Sequence, residues 1–117
     1  MRSFHIIILF ILSTLAITPA RAYTLVIDAG HGGKDAGAIG FISKEKDINL
    51  AIALAFGKLV EQNCPDIKVV YTRKTDVFIE LDERAKIANR NKADLFVSIH
   101  TNSTAAGRAG TTAHGTE

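Results

Sequence analysis

The amino-acid sequence predicts an α/β fold in which a mostly parallel sheet is flanked by helices. Three short apolar segments rich in β-branched residues alternate with two segments of helical periodicity. Alternation of this kind places each helix in the crossover between two parallel strands. Because ligands gather at the carboxyl ends of parallel strands, the residues that follow each strand are the first candidates for a functional site.

The first predicted strand covers residues 23–28, and a glycine-rich loop follows it. Within residues 29–40 (AGHGGKDAGAIG) five positions are glycine, and His31 lies among them. Such a loop needs unusual backbone angles or a close approach to another group.

The first helix is predicted over residues 47–63, and Pro65 marks its end. Apolar residues at helical spacing are expected to face the sheet: Ile48, Ile52, Ala55 and Leu59, with Leu50 and Leu54 widening that side.

The second and third strands are predicted over residues 67–71 and 95–99, with a second helix over residues 82–91 between them. Asp82 is the expected N-cap of this helix. Its apolar contacts are expected from Leu81, Ala85, Ile87 and Ala88. Since His100 directly follows the third strand, we expect it at the same sheet edge as His31.

Residues 1–22 have the features of a secretory signal peptide. Arg2 precedes an apolar run over residues 6–17, and residues 20–22 (ARA) match the small-x-small pattern of signal peptidase sites. The run is shorter than the about 20 residues that a membrane-spanning helix needs, which disfavours a stable membrane anchor. We therefore expect export to the periplasm or cell envelope, with residues 23–117 as the mature part.

The charge argues against a nucleic-acid-binding function. The formal net charge is +2, from 14 Lys and Arg against 12 Asp and Glu. Arg2 and Arg21 lie in the predicted signal peptide, which has no acidic residue, so the remainder of the chain is neutral. Nucleic-acid binding needs a basic surface. The length of 117 residues allows one domain at most, or a piece of one.

Cys64 is the single cysteine, so the chain has no internal disulfide. We predict that it is a small packing residue. A catalytic thiol is the alternative, for which no partner base can be placed.

The glycine loop does not match nucleotide-binding motifs. Asp35 stands where the dinucleotide-binding pattern requires its third glycine. The phosphate-binding loop requires a glycine where Asp28 stands and a Ser or Thr after Lys34, which Asp35 follows instead. Both nucleotide interpretations therefore fail at required positions.

His31, Glu45 and His100 form a candidate metal site. Two His and one carboxylate are the ligand set of many catalytic zinc sites, where zinc activates water and polarises a carbonyl oxygen. From spacing and composition alone, a plain alternative is equally open. In it His31 caps backbone groups of its loop, Glu45 is a solvated charge and His100 is a core residue.

Asp28 and Asp35 are candidate partners of a metal-binding histidine, because a carboxylate can hold an imidazole in one tautomer. Asp28 could instead cap the turn that follows its strand. His114 is expected to be solvent-exposed rather than a ligand.

Six blocks of the chain occur in the order found in a known family. They are residues 25–40 (LVIDAGHGGKDAGAIG), 44–50 (KEKDINL), 70–76 (VYTRKTD), 81–84 (LDER), 88–89 (AN) and 93–102 (ADLFVSIHTN). Together they resemble the zinc-dependent N-acetylmuramoyl-L-alanine amidases of bacterial cell walls, of the amidase_3 type. The resemblance extends from about residue 23 to residue 102, and the set of blocks is specific as a whole.

The resemblance implies a mostly parallel, twisted sheet flanked by helices (phosphorylase/hydrolase-like), and Zn²⁺ bound by His31, Glu45 and His100. It implies that peptidoglycan is the substrate, cleaved at the amide between N-acetylmuramic acid and the L-alanine of the stem peptide. Further positions that match the family are interpreted as ion pairs or loop anchors: Arg73, Arg84 and Asn89.

The family also implies a general-base Glu near the C-terminal end of the catalytic domain, which we expect beyond residue 117. Residues 115–117 resemble the start of a further strand, so Glu117 is not expected to be that base. Residues 23–117 are thus expected to be a C-terminally truncated part of the catalytic domain, inactive by itself. The alternatives are a non-catalytic peptidoglycan-binding or decayed amidase, and another zinc hydrolase such as a carboxypeptidase.

Overall fold

Three strands and two helices alternate along residues 21–102, the part of the chain that the computed structural model describes. They are strand β1 (Tyr23–Ala29), helix α1 (Glu45–Asn63), strand β2 (Ile67–Tyr71), helix α2 (Leu81–Arg90) and strand β3 (Leu95–Ile99). The predicted alternation is confirmed. Neither helix of this part of the chain is both long and apolar enough to cross a membrane. The predicted signal peptide up to residue 20, His114 and Glu117 lie outside the described residues.

The strands form one parallel sheet in the order β2–β1–β3. Leu25 of β1 is aligned with Val69 of β2 and with Leu95 of β3. The carboxyl ends of all three strands therefore lie at one edge of the sheet. The mostly parallel α/β architecture predicted from the sequence is confirmed.

The apolar core lies between the sheet and α1. Alternate side chains of β1 point to this face. Its buried cluster is formed by Leu25, Ile27, Ala29 and Ala53, of which Leu25 alone retains any measurable exposure, 4%. Burial of an aliphatic side chain of this size stabilises the fold by about 1.5–3 kcal/mol.

The face of α1 that meets the sheet differs from the prediction. The buried residues of one stripe recur at every fourth position: Glu45, Asn49, Ala53 and Gly57. The predicted stripe lies outside instead, because Ile48, Ile52 and Leu59 are 36%, 44% and 59% exposed, and Ala55 is exposed as well. Leu50 and Leu54 are partly buried. The inner stripe begins with the polar residues Glu45 and Asn49, which are held by hydrogen bonds. It ends with the small residues Ala53 and Gly57, where the helix approaches the sheet closely.

Helix α2 also differs from the prediction. It begins at Leu81, so Asp82 lies in its first turn and is not the N-cap. Leu81 is 84% exposed and Ala85 is exposed, whereas Ile87 and Ala88 are partly buried. The buried residue of this helix is Arg84. A charged side chain, rather than an apolar stripe, therefore attaches α2 to the sheet.

Cys64 is exposed, so the predicted packing role is wrong. It follows the last residue of α1 and precedes β2. This places it at the amino end of the parallel strands, opposite the edge at which His31 and His100 lie.

The second face of the sheet contains a buried carboxylate, that of Asp28. Arg84 lies 2.7 Å from its Oδ1, and Thr72 and Ser98 donate hydrogen bonds to its two oxygens. Burial raises the pKa of Asp28, but the hydrogen bonds from Thr72 and Ser98 and the charge of Arg84 outweigh it. The pKa of this carboxyl therefore lies below its usual value.

Gly57 allows α1 to lie directly against β2. A Cβ atom at residue 57 would be 2.0 Å from Oη and 2.5 Å from Cζ of Tyr71. We predict that Gly57→Ala lowers the free energy of unfolding by about 1–3 kcal/mol, because the Tyr71 ring must leave its packed position. Chemical denaturation measures this change. In a Tyr71→Leu background the same substitution should be neutral or stabilising, as alanine is in most helices. An equal loss in both backgrounds would contradict the steric explanation.

We also predict that the contribution of Asp28 to stability depends on pH. A carboxyl whose folded pKa is depressed stabilises the fold above its unfolded pKa of about 3.9 and loses that contribution as pH falls through the folded pKa. The difference in free energy of unfolding between the wild type and Asp28→Asn should therefore be constant between pH 6 and 5 and shrink below pH ~4. Denaturation at a series of pH values measures it. A difference that does not change down to pH 3 would show that the charge of Asp28 is unimportant.

Candidate metal centre

The glycine loop holds His31 in an unusual backbone conformation at the carboxyl end of β1. His31 has a φ of 62°, and Gly32 and Gly33 follow with φ values of 127° and 55°. The left-handed region is unfavourable for residues with a side chain, so the loop must hold His31 there. The N–H of Gly32 donates to the carbonyl of Asp35 at 2.9 Å, and the N–H of Asp35 donates back at 3.0 Å. The glycines on either side make this tight loop possible.

Glu45 is the first residue of α1 and points into the protein. Its side chain is 5% exposed, so it is not a solvated charge. The N–H of Ala38 donates to its Oε2 at 2.9 Å, and the N–H of Thr101 donates to its Oε1 at 3.2 Å. Asn49, one turn further along the helix, donates to the same Oε1 at 3.4 Å. The carboxylate is therefore fixed by the segments before and after it.

The structure brings together the three residues of the candidate site. Nε2 of His31 is 3.2 Å and Nδ1 of His100 is 3.1 Å from the same atom, Oε1 of Glu45. The two imidazole rings meet edge to face, with centroids 4.8 Å apart. One donor atom from each residue lies within 4.8 Å of the other two, a grouping that could hold a metal ion.

The hydrogen-bond pattern around His31 fits a cation at this point. Nδ1 of His31 lies 2.8 Å from Oδ2 of Asp35, and because a carboxylate oxygen only accepts, this nitrogen is the donor. Nε2 lies 3.2 Å from Oε1 of Glu45, and this pair of atoms can share a proton or a cation. Bonds of ~2.1 Å to a tetrahedral zinc ion place neighbouring donor atoms ~3.4 Å apart, close to the separations around Glu45.

Glu45 is poised to remain ionised. Burial raises the pKa of its carboxyl, but the hydrogen bond from Ala38 and the contacts with His100, Asn49 and His31 outweigh that effect. The pKa therefore lies below its usual value. A carboxylate that is negative at neutral pH is the form that binds a metal.

The two aspartates proposed as histidine partners have different positions. Asp35 contacts His31 as predicted, and its second oxygen accepts the N–H of Gly37 at 3.0 Å. Asp28 forms no hydrogen bond with His31 or His100, the two histidines of the described residues, so that part of the expectation is wrong, as is the turn cap. Its carboxylate instead joins Arg84, Thr72 and Ser98 beneath the loop.

The matched arginines anchor the loops, as interpreted from the sequence. Arg73 donates to the carbonyls of Ala29, Gly30 and Lys46 at 2.8–2.9 Å. Asn89, in contrast, is exposed and lines a cavity of about 700 Å³ beside His31 and His100. Residues of α2 and β3, among them Ala88 and Phe96, also line this cavity.

Sequence reasoning missed the role of Lys46. Its side chain is 10% exposed, and its Nζ donates to Oδ2 of Asp76 at 2.6 Å and to the carbonyl of Gly33 at 2.9 Å. Asp76 in turn accepts the N–H of Gly33 at 2.7 Å. Lys46 therefore ties the start of α1 to the glycine loop. Both residues lie in blocks that resemble the amidases, which was the one available indication of their importance.

Comparison with known proteins gives one consistent family. The family model Amidase_3, N-acetylmuramoyl-L-alanine amidase, matches residues 25–117. AmiC, an N-acetylmuramoyl-L-alanine amidase of Escherichia coli O6:H1, is 44% identical over 81 residues, which cover 68% of this chain and 19% of that protein. The uncharacterized protein YqiI of Bacillus subtilis is 47% identical over 97 residues, which cover 82% of this chain and 46% of that protein.

The solved structures agree. The catalytic domain of CwlV, an N-acetylmuramoyl-L-alanine amidase from Bacillus (Paenibacillus) polymyxa, matches with a TM-score of 0.70 and 47% identity, over 76% of this chain and 49% of that one. An N-acetylmuramoyl-L-alanine amidase from Clostridium difficile 630 matches with a TM-score of 0.71 and 43% identity, over 76% and 48%. The chain thus spans half or less of the length of these relatives.

Gly30 gives a direct test of the site geometry. A Cβ atom at this residue would be 2.3 Å from Cε1 and 2.4 Å from Nε2 of His100. We predict that Gly30→Ala displaces the His100 ring and weakens Zn²⁺ binding at least about tenfold, measured by competition with a chelator. The matched control is Gly40→Ala, where the nearest atom to a Cβ is 3.4 Å away and binding should not change. Unchanged affinity in Gly30→Ala would mean that His100 does not bind the ion.

Proposed function

This chain belongs to the N-acetylmuramoyl-L-alanine amidase family, and we propose that it is the zinc-binding part of a peptidoglycan hydrolase. The bond cleaved is the amide between N-acetylmuramic acid and the L-alanine of the stem peptide. One observation carries the proposal: the convergence of His31 and His100 on a single oxygen of the buried Glu45. In a member of an amidase family, this donor set is suited to a catalytic metal ion.

The residues of the chain prepare the site for zinc. When bound, zinc supplies an activated water at neutral pH and a positive charge that polarises the scissile carbonyl. Asp35 keeps the proton of His31 on Nδ1, so that Nε2 is free to be a ligand. Glu45 supplies one negative charge, and hydrogen bonds from Ala38 and Thr101 hold its two oxygens in place.

Hydrolysis of the amide also requires a general base that takes a proton from the attacking water, and this group is distinct from the metal ligands. Among residues 21–102, the carboxylates near the cluster already have partners: Asp35 is bonded to His31 and Gly37, and Asp28 to Arg84. The general-base Glu stays a prediction that rests on the resemblance to the family.

We also propose that the protein is exported from the cytoplasm. Residues 1–22 would be removed as a signal peptide, and residues 23–117 would form part of the amidase catalytic domain. The location would be the periplasm or cell envelope, where the proposed substrate lies. The support is the charge, apolar run and small-residue pattern of the first 22 residues.

We predict one zinc ion per chain and its loss in His31→Ala and His100→Ala, because each variant removes one of three protein ligands. Metal analysis after dialysis measures the stoichiometry. Glu45→Gln should also lose zinc, whereas Glu61→Gln should retain it because Glu61 is exposed on the same helix. Full retention of zinc in both histidine variants would rule out this ligand set.

The bond that is cleaved distinguishes the enzyme classes. A version of the protein that includes the general base should release intact stem peptides with a new L-alanine amino terminus, and a chelator should stop the release. Release of a carboxy-terminal amino acid would instead indicate a zinc carboxypeptidase. Binding to peptidoglycan without any cleavage would indicate a non-catalytic protein.

A further inference from the structure

The ion pair between Asp28 and Arg84 lies beneath the glycine loop and bonds to the backbone of His31. We propose that Arg84, fixed in direction by Asp28, is a positioning residue that holds the backbone of His31 so that the imidazole stays at the metal site. This inference rests on the proposed zinc-binding function and extends it to two residues whose side chains do not contact the three proposed ligand side chains.

The guanidinium of Arg84 contacts the loop at two carbonyls. Its Nη2 donates to the carbonyl of His31 at 2.9 Å, and its Nη1 donates to that of Ala29 at 2.9 Å and to Oδ1 of Asp28 at 2.7 Å. Its Nε donates to the carbonyl of Ile79 at 3.0 Å. Arg84 is 5% exposed, so these bonds do not compete with bulk water. The planar fork of an arginine donates in several fixed directions at once, which a lysine cannot do.

Asp28 fixes the direction of that fork relative to the whole sheet. The hydroxyl of Thr72, which follows β2, donates to its Oδ1 at 2.6 Å. The hydroxyl of Ser98 in β3 donates to its Oδ2 at 2.7 Å. Since Asp28 itself lies in β1, its carboxylate is held by all three strands. Arg84 therefore fixes the loop in position relative to the sheet.

The backbone of His31 requires such a restraint. Its φ of 62° is in the left-handed region, which is unfavourable for a residue with a side chain. Without the bond to its carbonyl the loop would relax, and Nε2 would leave its place beside Glu45. Arg73 holds the preceding carbonyls of Ala29 and Gly30, so the two arginines restrain three consecutive peptide units.

A purely structural role is the alternative, in which Arg84 only attaches α2 to the sheet. That role would alter global stability and leave the metal affinity of the folded protein unchanged. Two measurements separate the alternatives: the zinc affinity of the folded protein, and hydrogen exchange of the loop amides in the metal-free protein. The amides of Gly32 and Asp35 report on the loop because they bond across it.

The informative variant is Arg84→Lys, which keeps a positive charge near Asp28 and removes the fork. We expect zinc binding about 10- to 100-fold weaker, and faster exchange at the two loop amides with unchanged exchange in β1 and β2. The matched control is Arg90→Lys on the same helix, where the guanidinium pairs with Glu83 on the surface. Both readouts should be unchanged in the control.

A lower unfolding midpoint in Arg84→Lys with unchanged zinc affinity and unchanged loop exchange would overturn the positioning role. If Arg84→Lys does not fold, Thr72→Val replaces it, because this variant removes one bond to Asp28 and preserves the side-chain shape. It should move both readouts in the same direction by a smaller factor, and no movement of either would also overturn the role. If the wild type binds no zinc, the proposed function fails, and loop exchange in the metal-free protein still decides the role of Arg84.

Discussion

The burial of Asp28 at the centre of the sheet is the constraint on which the rest of this structure depends. A carboxylate that is 3% exposed is stable only if its charge and its oxygens are compensated. The compensating groups are Thr72 after β2, Ser98 in β3 and Arg84 in α2. Each of these elements must therefore be in place for the others to be stable. Among residues 21–102, no buried side-chain nitrogen or oxygen lacks a partner, which shows how completely the polar interior is satisfied.

Polar groups also concentrate at the edge of the sheet where the parallel strands end together. Polar side chains lie beneath the glycine loop and at the start of α1, whereas apolar and small residues pack along the remainder of α1. Along the inner stripe of α1 the residues change from Glu45 and Asn49 at the site to Ala53 and Gly57 at the far end. The far end contributes close packing on β2, and the near end contributes the proposed ligand Glu45. One helix thus couples the stability of the core to the geometry of the site.

The sequence predicted the elements well because strand patterning depends on local composition, and it predicted the site edge because parallel strands end together. His31 and His100 could be placed at one edge from this rule alone. The inner face of α1 could not be predicted, because periodicity ranks Ile48 above Asn49 and does not register the hydrogen bonds that bury an amide. The role of Arg84 was only partly predictable. The family resemblance marked it as an anchor, but its bonds to His31 and Asp28 depend on residues more than fifty positions away along the chain.

Metal binding and folding are linked in this arrangement if the proposed function is correct. The donor atoms come from the loop after β1, the start of α1 and the residue after β3, so a bound ion would join three separate segments. The folded chain brings Nε2 of His31 within 3.2 Å of Oε1 of Glu45, a separation that the unfolded chain does not maintain. A cation would therefore bind the folded state in preference to the unfolded chain, which would stabilise the fold by mass action. On that proposal, one ion would join the loop, the helix and the third strand and would also supply the chemistry. The Asp28–Arg84 pair lies beneath them, and on our inference its bond to the carbonyl of His31 would set the geometry of that site.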